Sequence, residues 1–423
     1  MKNGEEDKPM SGDNIRIRAY NHKRDFEDIR KVWHEAGWME FENTQSMNVF
    51  FQSGRITVAD VNGSAESMAL TITGELIHQK NRLNMCVVGA VTTGHIARKL
   101  GLARKITACR IAEDAAMGAH ISTLGMFEQG FYNTLGFGTA SYIHITTFQP
   151  SSLKRLPKHR IPCRLTAKDA EEIHATRMLQ MPCHGKAYLP FEHTLAEINW
   201  KKSNFGLGFR DKNGTLTHHL WLSGKGKEQG PYKVEWMAYQ NTDQMLELLS
   251  LLKSMGDQIH SVQMFEPPHI QFQDILDKPF FFRSITKNST HESGMKTSAF
   301  FQIRILNLEE TLERTVLNCD DFQFILKLND PIETFLPKDS PWKGCGGTYL
   351  VTLGKKCSAV KNPGRHNLPI MECSVNAFSR IWLGVRPASV LKATDDINGE
   401  PELIEKLDLA FAPLPVPHFY WEF

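Results

Sequence analysis

Residues 83–91 read LNMCVVGAV, a nearly continuous apolar run. A strand with one wet face alternates apolar and polar residues, so this run predicts a strand covered on both faces. Covering both faces needs layers on each side, which points to an α/β arrangement. The segment that follows, TTGHIARKLGLARK, leads into a helix predicted through about Met117. Its Leu102, Ile106, Cys109, Ala112 and Ala116 fall on one side, and Arg104, Arg110 and Glu113 on the other.

The surrounding elements fit one mixed α/β unit. Strands are predicted at Asn14–Tyr20, Arg55–Asp60, Ser67–Thr73, His120–Phe127 and Phe137–Phe148. Helices are predicted at Asp25–Ala36 and Gln129–Leu135, the second closed by Gly136. The stretch QPSSLKRLPKHRIP (149–162) is rich in Pro, Ser and basic residues and reads as a linker. A second α/β unit follows. It holds helices at Lys168–Met178 and Thr242–Met255, the latter N-capped by Asn241, and strands at Leu216–Leu222, Lys233–Tyr239 and His260–Phe265. After about Thr297 come strands at Ala299–Leu306, Phe322–Asn329, Thr348–Leu353 and Ile370–Ser374. Helices then close the chain at Val375–Gly384, Pro387–Thr394 and Glu402–Ala412. The chain therefore divides into a mobile tail (1–14), a first unit (15–150), a second (151–296) and a smaller α+β third (297–423).

The formal net charge is +2 over 423 residues, so no strong overall field favours nucleic acid as a partner. The apolar runs are too short to span a membrane, and Met1–Asn14 lacks the apolar core of a secretory signal. The eight cysteines include no Cys-x-x-Cys pair, which fits free thiols in a reducing, cytoplasmic setting. Cys183 and His184 adjoin, but further ligands at metal spacing are missing, and no metal site is expected.

Arg98-Lys99-Leu100-Gly101-Leu102-Ala103 has the pattern R-x-x-G-x-A where a helix begins just after the buried strand. A helix start presents unpaired N–H groups and a positive partial charge, so a pyrophosphate can dock there. Gly101 lets the backbone approach phosphate without a Cβ. A solvated basic helix start would carry the same residues. Gly224-Lys225-Gly226 looks similar but precedes the strand KVEWMAY rather than a helix, and reads as a hairpin turn.

With its order of elements, the loop resembles that of the GNAT acyltransferases. Gly130-Phe131-Tyr132-Asn133-Thr134-Leu135-Gly136-Phe137 resembles that family's F-Y-x-x-x-G-F segment. Two α/β units, a smaller α+β unit and the ending Trp421-Glu422-Phe423 resemble the Eis (enhanced intracellular survival) acetyltransferases. The resemblance implies tandem GNAT-like domains, the second degenerate, followed by a domain similar to sterol carrier proteins. It implies acetyl-CoA as co-substrate, no metal, and assembly as a homo-oligomer, a hexamer. Val91, Thr92 and Thr93, with Arg98, Lys99, Leu100, Gly101, Leu102, Ala103 and Arg104, would hold acetyl-CoA. Phe127 and Glu128 would lie near the thioester. Tyr132 would be the general acid, and the carboxylate of Phe423 the base. Glu40 and Glu422 match acidic positions that attract amines in that family. The sequence departs from it in carrying Leu100 where a basic residue is common and Phe127 where a serine is usual.

The implied reaction is direct acetyl transfer to a primary amine of an aminoglycoside-like compound, a polyamine or a lysine side chain. Such an amine, with a pKa near ~10.4, must lose a proton before it attacks. Two alternatives stand beside it. One is a binding protein for a lipid-like molecule whose first unit is a CoA-bound relic. The other is a longer-chain N-acyltransferase. The aromatic tail PVPHFYWEF is costly to leave in water, which favours a docked chain end over a frayed one.

Overall fold

A computed structural model of the chain describes residues 14–38, 44–200, 203–224, 229–279, 287–289 and 291–419. The first 150 residues contribute strands β1 (Ile15–Ala19), β2 (Arg55–Val61), β3 (Ser64–His78), β4 (Asn81–Thr93), β5 (Ile121–Gly125), β6 (Gly138–Thr139) and β7 (Ile143–Phe148). Their helices are α1 (His22–Glu35), α2 (Thr44–Gln52), α3 (Leu102–Ala116) and α4 (Gln129–Asn133).

The next stretch supplies β8 (Cys163–Leu165), β9 (Ala187–Tyr188), β10 (Asn204–Arg210), β11 (Leu216–Ser223), β12 (Tyr232–Ala238), β13 (Val262–Phe265) and β14 (Gly294–Ser298). Its helices are α5 (Ala170–Met178), α6 (Phe191–Trp200) and α7 (Thr242–Ser254). The remainder carries β15 (Phe301–Ile305), β16 (Phe322–Asn329), β17 (Gly347–Leu353), β18 (Ser358–Lys361), β19 (Ile370–Ser374) and β20 (Ile397–Gly399). With them come α8 (Leu308–Glu313), α9 (Val375–Trp382), α10 (Ala388–Leu391) and α11 (Pro401–Phe411).

Three sheets result. The first runs β1-β2-β3-β4-β5-β15-β6, with β9 added beside β3. The second runs β14-β7-β13-β12-β11-β10-β8, and the third β18-β17-β16-β19-β20. The predicted strand 137–148 is thus two strands in two different sheets. Its second part, β7, pairs with β13 from Val262↔Phe148 to Phe265↔Ile145. Its place beside β5 is taken by β15, paired from Phe301↔Gly125 to Ile305↔Ile121. The sheets therefore cross the chain positions near 150 and 297. The first and third units also share one apolar core, to which Ile72, Ile303, Phe324 and Trp382 all belong.

Each unit follows from its residues. α1 buries Phe26, Ile29, Val32 and Trp33 along one face, and Asn21 caps it by accepting from the Arg24 amide. Each such large side chain contributes roughly 1.5–3 kcal/mol by leaving water. The central run of β4 is buried from Met85 to Val88. On α3 the expected polar side is only partly wet. Arg110 is buried, paired with Glu113 at 2.5 Å and with Asp114 at 3.3 Å, while Ala116 is exposed. The segment 149–162 is mostly irregular, yet it is tied down. Leu153 bridges to Leu276, and Arg160 pairs with Glu247 at 2.9 Å.

The first two units repeat one motif. In each, a strand leads through a helix to a parallel neighbour: β4-α3-β5, and β12-α7-β13. The two helix starts differ. The Asn241 side chain accepts from the Gln244 amide at 3.0 Å, and Asp243 lies in the first turn of α7. The start of α3 has no side-chain cap and no acidic residue in its first turn. Only α3 keeps its terminal amides and positive end open to an anion.

Candidate active site

β4 and β5 pair in parallel from Met85↔Ile121 to Val88↔Leu124, and the pairing stops there. Beyond that point β4 stays with β3. Thr92 lies opposite Met68 and Thr93 opposite Ser67, after a register shift that follows Leu70↔Gly89. The Ser67 hydroxyl donates to the Thr92 carbonyl at 2.8 Å and shares a 2.7 Å hydrogen bond with the Thr93 hydroxyl. Ala90 takes up the shift at φ +52°. Among the described residues no strand pairs with the edge of residues 89–93 that faces away from β3, which leaves room there for an extended ligand.

The segment after β4 turns sharply. The His95 amide donates to Glu35 at 2.9 Å, and the His95 ring lies 3.1 Å from the same carboxylate. Lys99 (φ +62°) and Gly101 (φ +71°) both adopt left-handed backbone. Such turns point successive N–H groups to one side and make an anion cradle. Arg98, Lys99 and Gly101 are exposed, Leu102 is buried, and Ala103 and Arg104 are half-buried. These residues fit a pyrophosphate at the uncapped start of α3. Leu100 is exposed and adds no charge.

Arg104 links this helix to the next element. Its Nε donates to the Thr134 hydroxyl at 3.2 Å, and its guanidinium lies 5.3 Å from the Phe131 ring centroid. Tyr132 is buried in the same cluster as Val88, Leu124 and Ala108, at the point where β4 and β5 part. Burial, and then the nearby Glu128 charge, push its phenol up to about 12. Glu128 caps α4, its carboxylate accepting from the Gly130 and Phe131 amides. Phe127 is 90% exposed.

A chamber of about 380 Å³ opens between the first and second units. Its walls include Trp33 of α1, Phe50 of α2, Trp200 of α6 and Trp236 of β12, with Trp38 after α1. Ala90, the residue at the β4 shift, lines it too. Two carboxylates face it, Glu197 and Glu235. Arg177 pairs with Glu197, and Lys233 pairs with Glu235 at 2.7 Å.

The structure brings Val91, Thr92, Thr93, Arg98–Arg104 and Tyr132 into one region. Glu40, Glu422 and Phe423 lie outside the described residues. The chain approaching that end is anchored at Phe419, which is buried and stacks on Phe301 at 5.0 Å. Phe419 lines a smaller cavity that shares Glu235 and Trp236 with the chamber. Sequence reasoning missed the chamber residues. Helices α2 and α6 carry no simple apolar period, and the tryptophans converge only in three dimensions.

No protein-family model matches the chain, and no curated protein matches it. Solved structures do. A probable N-acyltransferase of unknown function from Enterococcus faecalis matches with a TM-score of 0.78 at 14% identity, covering 97% of this chain and 100% of that one. A GCN5-related N-acetyltransferase from Anabaena variabilis matches with a TM-score of 0.78 at 12% identity, over 97% of this chain and 100% of its own. Eis1 from Mycobacterium abscessus matches with a TM-score of 0.73 at 14% identity, again over 97% and 100%. The chain has the fold of these proteins. At these identities the likeness is one of fold, and it extends over all three sheets. Among the described residues no group of His, Cys, Asp or Glu is placed to hold a metal ion, and no helix is long and apolar enough to cross a membrane.

Proposed function

We propose that the chain is an N-acetyltransferase that takes acetyl from acetyl-CoA and places it on an amine. One observation carries the reading: Ala90 lines the aromatic chamber and also lies on the part of β4 that leaves β5, beside the uncapped start of α3. Donor and acceptor channels would meet there. The backbone of Val91, Thr92 and Thr93 and the loop from Arg98 to Arg104 would hold acetyl-CoA. Bound acetyl-CoA supplies an activated thioester.

The residues of the chain manage two protons. An ammonium held in the chamber must be deprotonated, since its reference pKa is near ~10.4. Attack by the neutral nitrogen forms a C–N bond and breaks the C–S bond, so sulfur gains charge. Tyr132, with a phenol pushed up to about 12, is protonated at every ordinary working pH and donates to that sulfur. A thiol has a reference pKa of about 8.5, so full transfer from this phenol is uphill. Tyr132 therefore gives its hydrogen bond early and its proton late.

The base in this proposal is the carboxylate of Phe423. Phe419 is buried beside the wall that the chamber shares. Four further residues can span at most roughly 13–14 Å. Glu128 is less suited to the role, because its carboxylate is engaged in capping α4. The homohexameric, cytoplasmic state implied by the resemblance completes the proposal.

A thiol-release assay with acetyl-CoA and a panel of primary amines tests it. Saturable release that depends on both substrates is expected. A folded protein that binds acetyl-CoA yet releases no thiol with any amine would overturn the reading.

A further inference from the structure

Tyr132 sits on α4, a helix of five residues. One turn of helix has little stability of its own, so its position depends on what holds it from outside. Its start is capped by Glu128. Its end is held by the third unit, through Arg304 on the Leu135 carbonyl and Asn376 on the Asn133 and Phe137 carbonyls. A third hold comes from the donor side, and Arg104 makes it.

Arg104 is the third residue of α3. Its Nε donates to the Thr134 hydroxyl at 3.2 Å, and that hydroxyl donates to the Phe131 carbonyl at 2.6 Å. The guanidinium lies 5.3 Å from the centroid of the Phe131 ring, close enough for a cation–π attraction. The Phe131 ring in turn meets the Tyr132 ring edge to face at 4.9 Å. Arg98 and Lys99 are exposed, whereas Arg104 is half-buried against α4. Among the described residues, the bond from Arg104 to Thr134 is the one hydrogen bond that joins the first turn of α3 to α4 and its C-cap.

Resting on the acetyl-transfer reading, we propose that Arg104 is a positioning residue for the general acid. Its guanidinium braces α4 so that the Tyr132 hydroxyl meets the thioester sulfur, and the side chains that answer the pyrophosphate are Arg98 and Lys99. The brace springs from the same turn of α3 whose open amides would take the phosphates, so donor and acid are registered to one element. Misplacing a reacting group by about 1 Å can cost about 10²-fold in rate.

Arg104→Met keeps much of the side chain's length and removes its donors and charge. On the full chain it should lower kcat for thiol release by about tenfold or more, while acetyl-CoA affinity by calorimetry stays close to native. Arg104→Lys keeps a donor and a charge without the planar fork, and should recover part of the loss. Arg104→Met placed in Tyr132→Phe should lower kcat little further, because the group it positions is gone. Thr134→Val removes the acceptor, and adding it to Arg104→Met should cost no more than the worse single variant. Hydrogen exchange at residues 128–137 with acetyl-CoA bound reads the brace without turnover, and should quicken in Arg104→Met.

A kcat unchanged in folded Arg104→Met, or lowered equally with and without the Tyr132 hydroxyl, overturns the positioning role and leaves acetyl transfer standing. A collapse of acetyl-CoA affinity with kcat kept would make Arg104 a phosphate ligand and overturns it as well. Faster exchange in the variant of a chain that binds acetyl-CoA but releases no thiol keeps the brace on α4 and sinks the transfer reading.

Discussion

Arg304 and Asp330 form an ion pair at 2.6 Å with both side chains wholly buried. Arg304 lies on β15, the strand that enters the first sheet, and Asp330 follows β16 in the third. Arg304 also donates to the carbonyl of Leu135, and the Cys345 amide donates to Asp330 at 2.9 Å. Asn376 of α9 donates to the carbonyls of Asn133 at 2.9 Å and Phe137 at 2.8 Å. The third unit thus grips the turn that follows Tyr132, at Asn133, Leu135 and Phe137. Removing one partner strands a buried charge, so Arg304→Met should cost about 3–5 kcal/mol. Thermal unfolding should show a lowered midpoint, and Arg304→Met/Asp330→Leu should recover much of it. A single variant as stable as the native chain would show that the pair is not what holds this junction.

Gly101 tests the donor site. Its φ of +71° strains other residues, but an added Cβ would meet no protein atom within 4 Å. Gly101→Ala should therefore fold, with a cost near ~1 kcal/mol or somewhat more. Gly101→Asp adds a carboxylate at the open helix start, where it competes with phosphate for the same amides. Acetyl-CoA affinity by calorimetry should fall sharply in the Asp variant and far less in the Ala variant. Equal affinities for both would place the pyrophosphate elsewhere.

Tyr132→Phe keeps the ring that packs against Phe137 at 6.2 Å and removes only the hydroxyl. Acetyl-CoA binding should persist while kcat drops within the ~10²–10⁴-fold span of general acid–base catalysis. With the phenol pushed up to about 12, the native kcat should show no alkaline decline from this group between pH 8 and about pH 10. Single-turnover rates, which isolate chemistry from product release, are the measurement. A rate unchanged by the substitution removes Tyr132 from the mechanism.

Three histidines meet where the units join. His78 stacks on Trp382 at 4.3 Å, and His184 accepts from the Gln79 amide at 3.0 Å. The His418 amide donates to the His184 carbonyl at 2.8 Å. Burial lowers all three pKa values, to about 3 for His78 and about 4 for His418. Unfolding restores a value near ~6.5, so between that pH and the folded values the unfolded chain binds more protons. Stability contributed by the neutral rings is complete above pH 6.5 and is lost as pH falls below it. The unfolding midpoint should be flat from pH 7 to 8 and fall from pH 6.5 to 4.5. His78→Gln should flatten that fall, and an unaltered profile would exclude His78 as a contributor.

Local signals in the sequence located many elements. Strands 322–329 and 370–374 and the Asn241 cap were legible, because apolar alternation and capping act over a few residues. The buried run of β4 and the glycine at the start of α3 were legible for the same reason, and they mark the candidate donor loop. The exchange of β7 and β15 was not legible. IHITTF has the same alternation whichever sheet it joins, and only pairing across more than 100 residues decides it. Helices α2 and α6 were missed as well. They face each other, with the Ser46 hydroxyl donating to the Asn199 carbonyl at 2.9 Å, and α6 buries His193 and Thr194 among its apolar residues. Burying polar side chains blurs the period that marks a helix, and these two helices wall the chamber.

The chain end offers the most selective test of the proposed base. Phe419 anchors it by stacking on Phe301, and the Ser141 hydroxyl donates to the Pro417 carbonyl just before. Adding one glycine after Phe423 leaves every native side chain and this anchor in place. It moves the terminal charge by one residue, roughly 3.3–3.6 Å in extended chain. Proton transfer needs heavy atoms within about 2.6–3.2 Å, or one bridging water. Acetyl transfer should therefore nearly vanish, while the unfolding midpoint and acetyl-CoA affinity stay close to native. Phe419→Ala should act differently. It removes a buried ring, at about 3–5 kcal/mol, and should lower both stability and rate. Comparing the two variants separates a misplaced charge from a loosened anchor. An extended enzyme that acetylates amines at the native rate would make the tail a structural strap and leave deprotonation to water in the chamber.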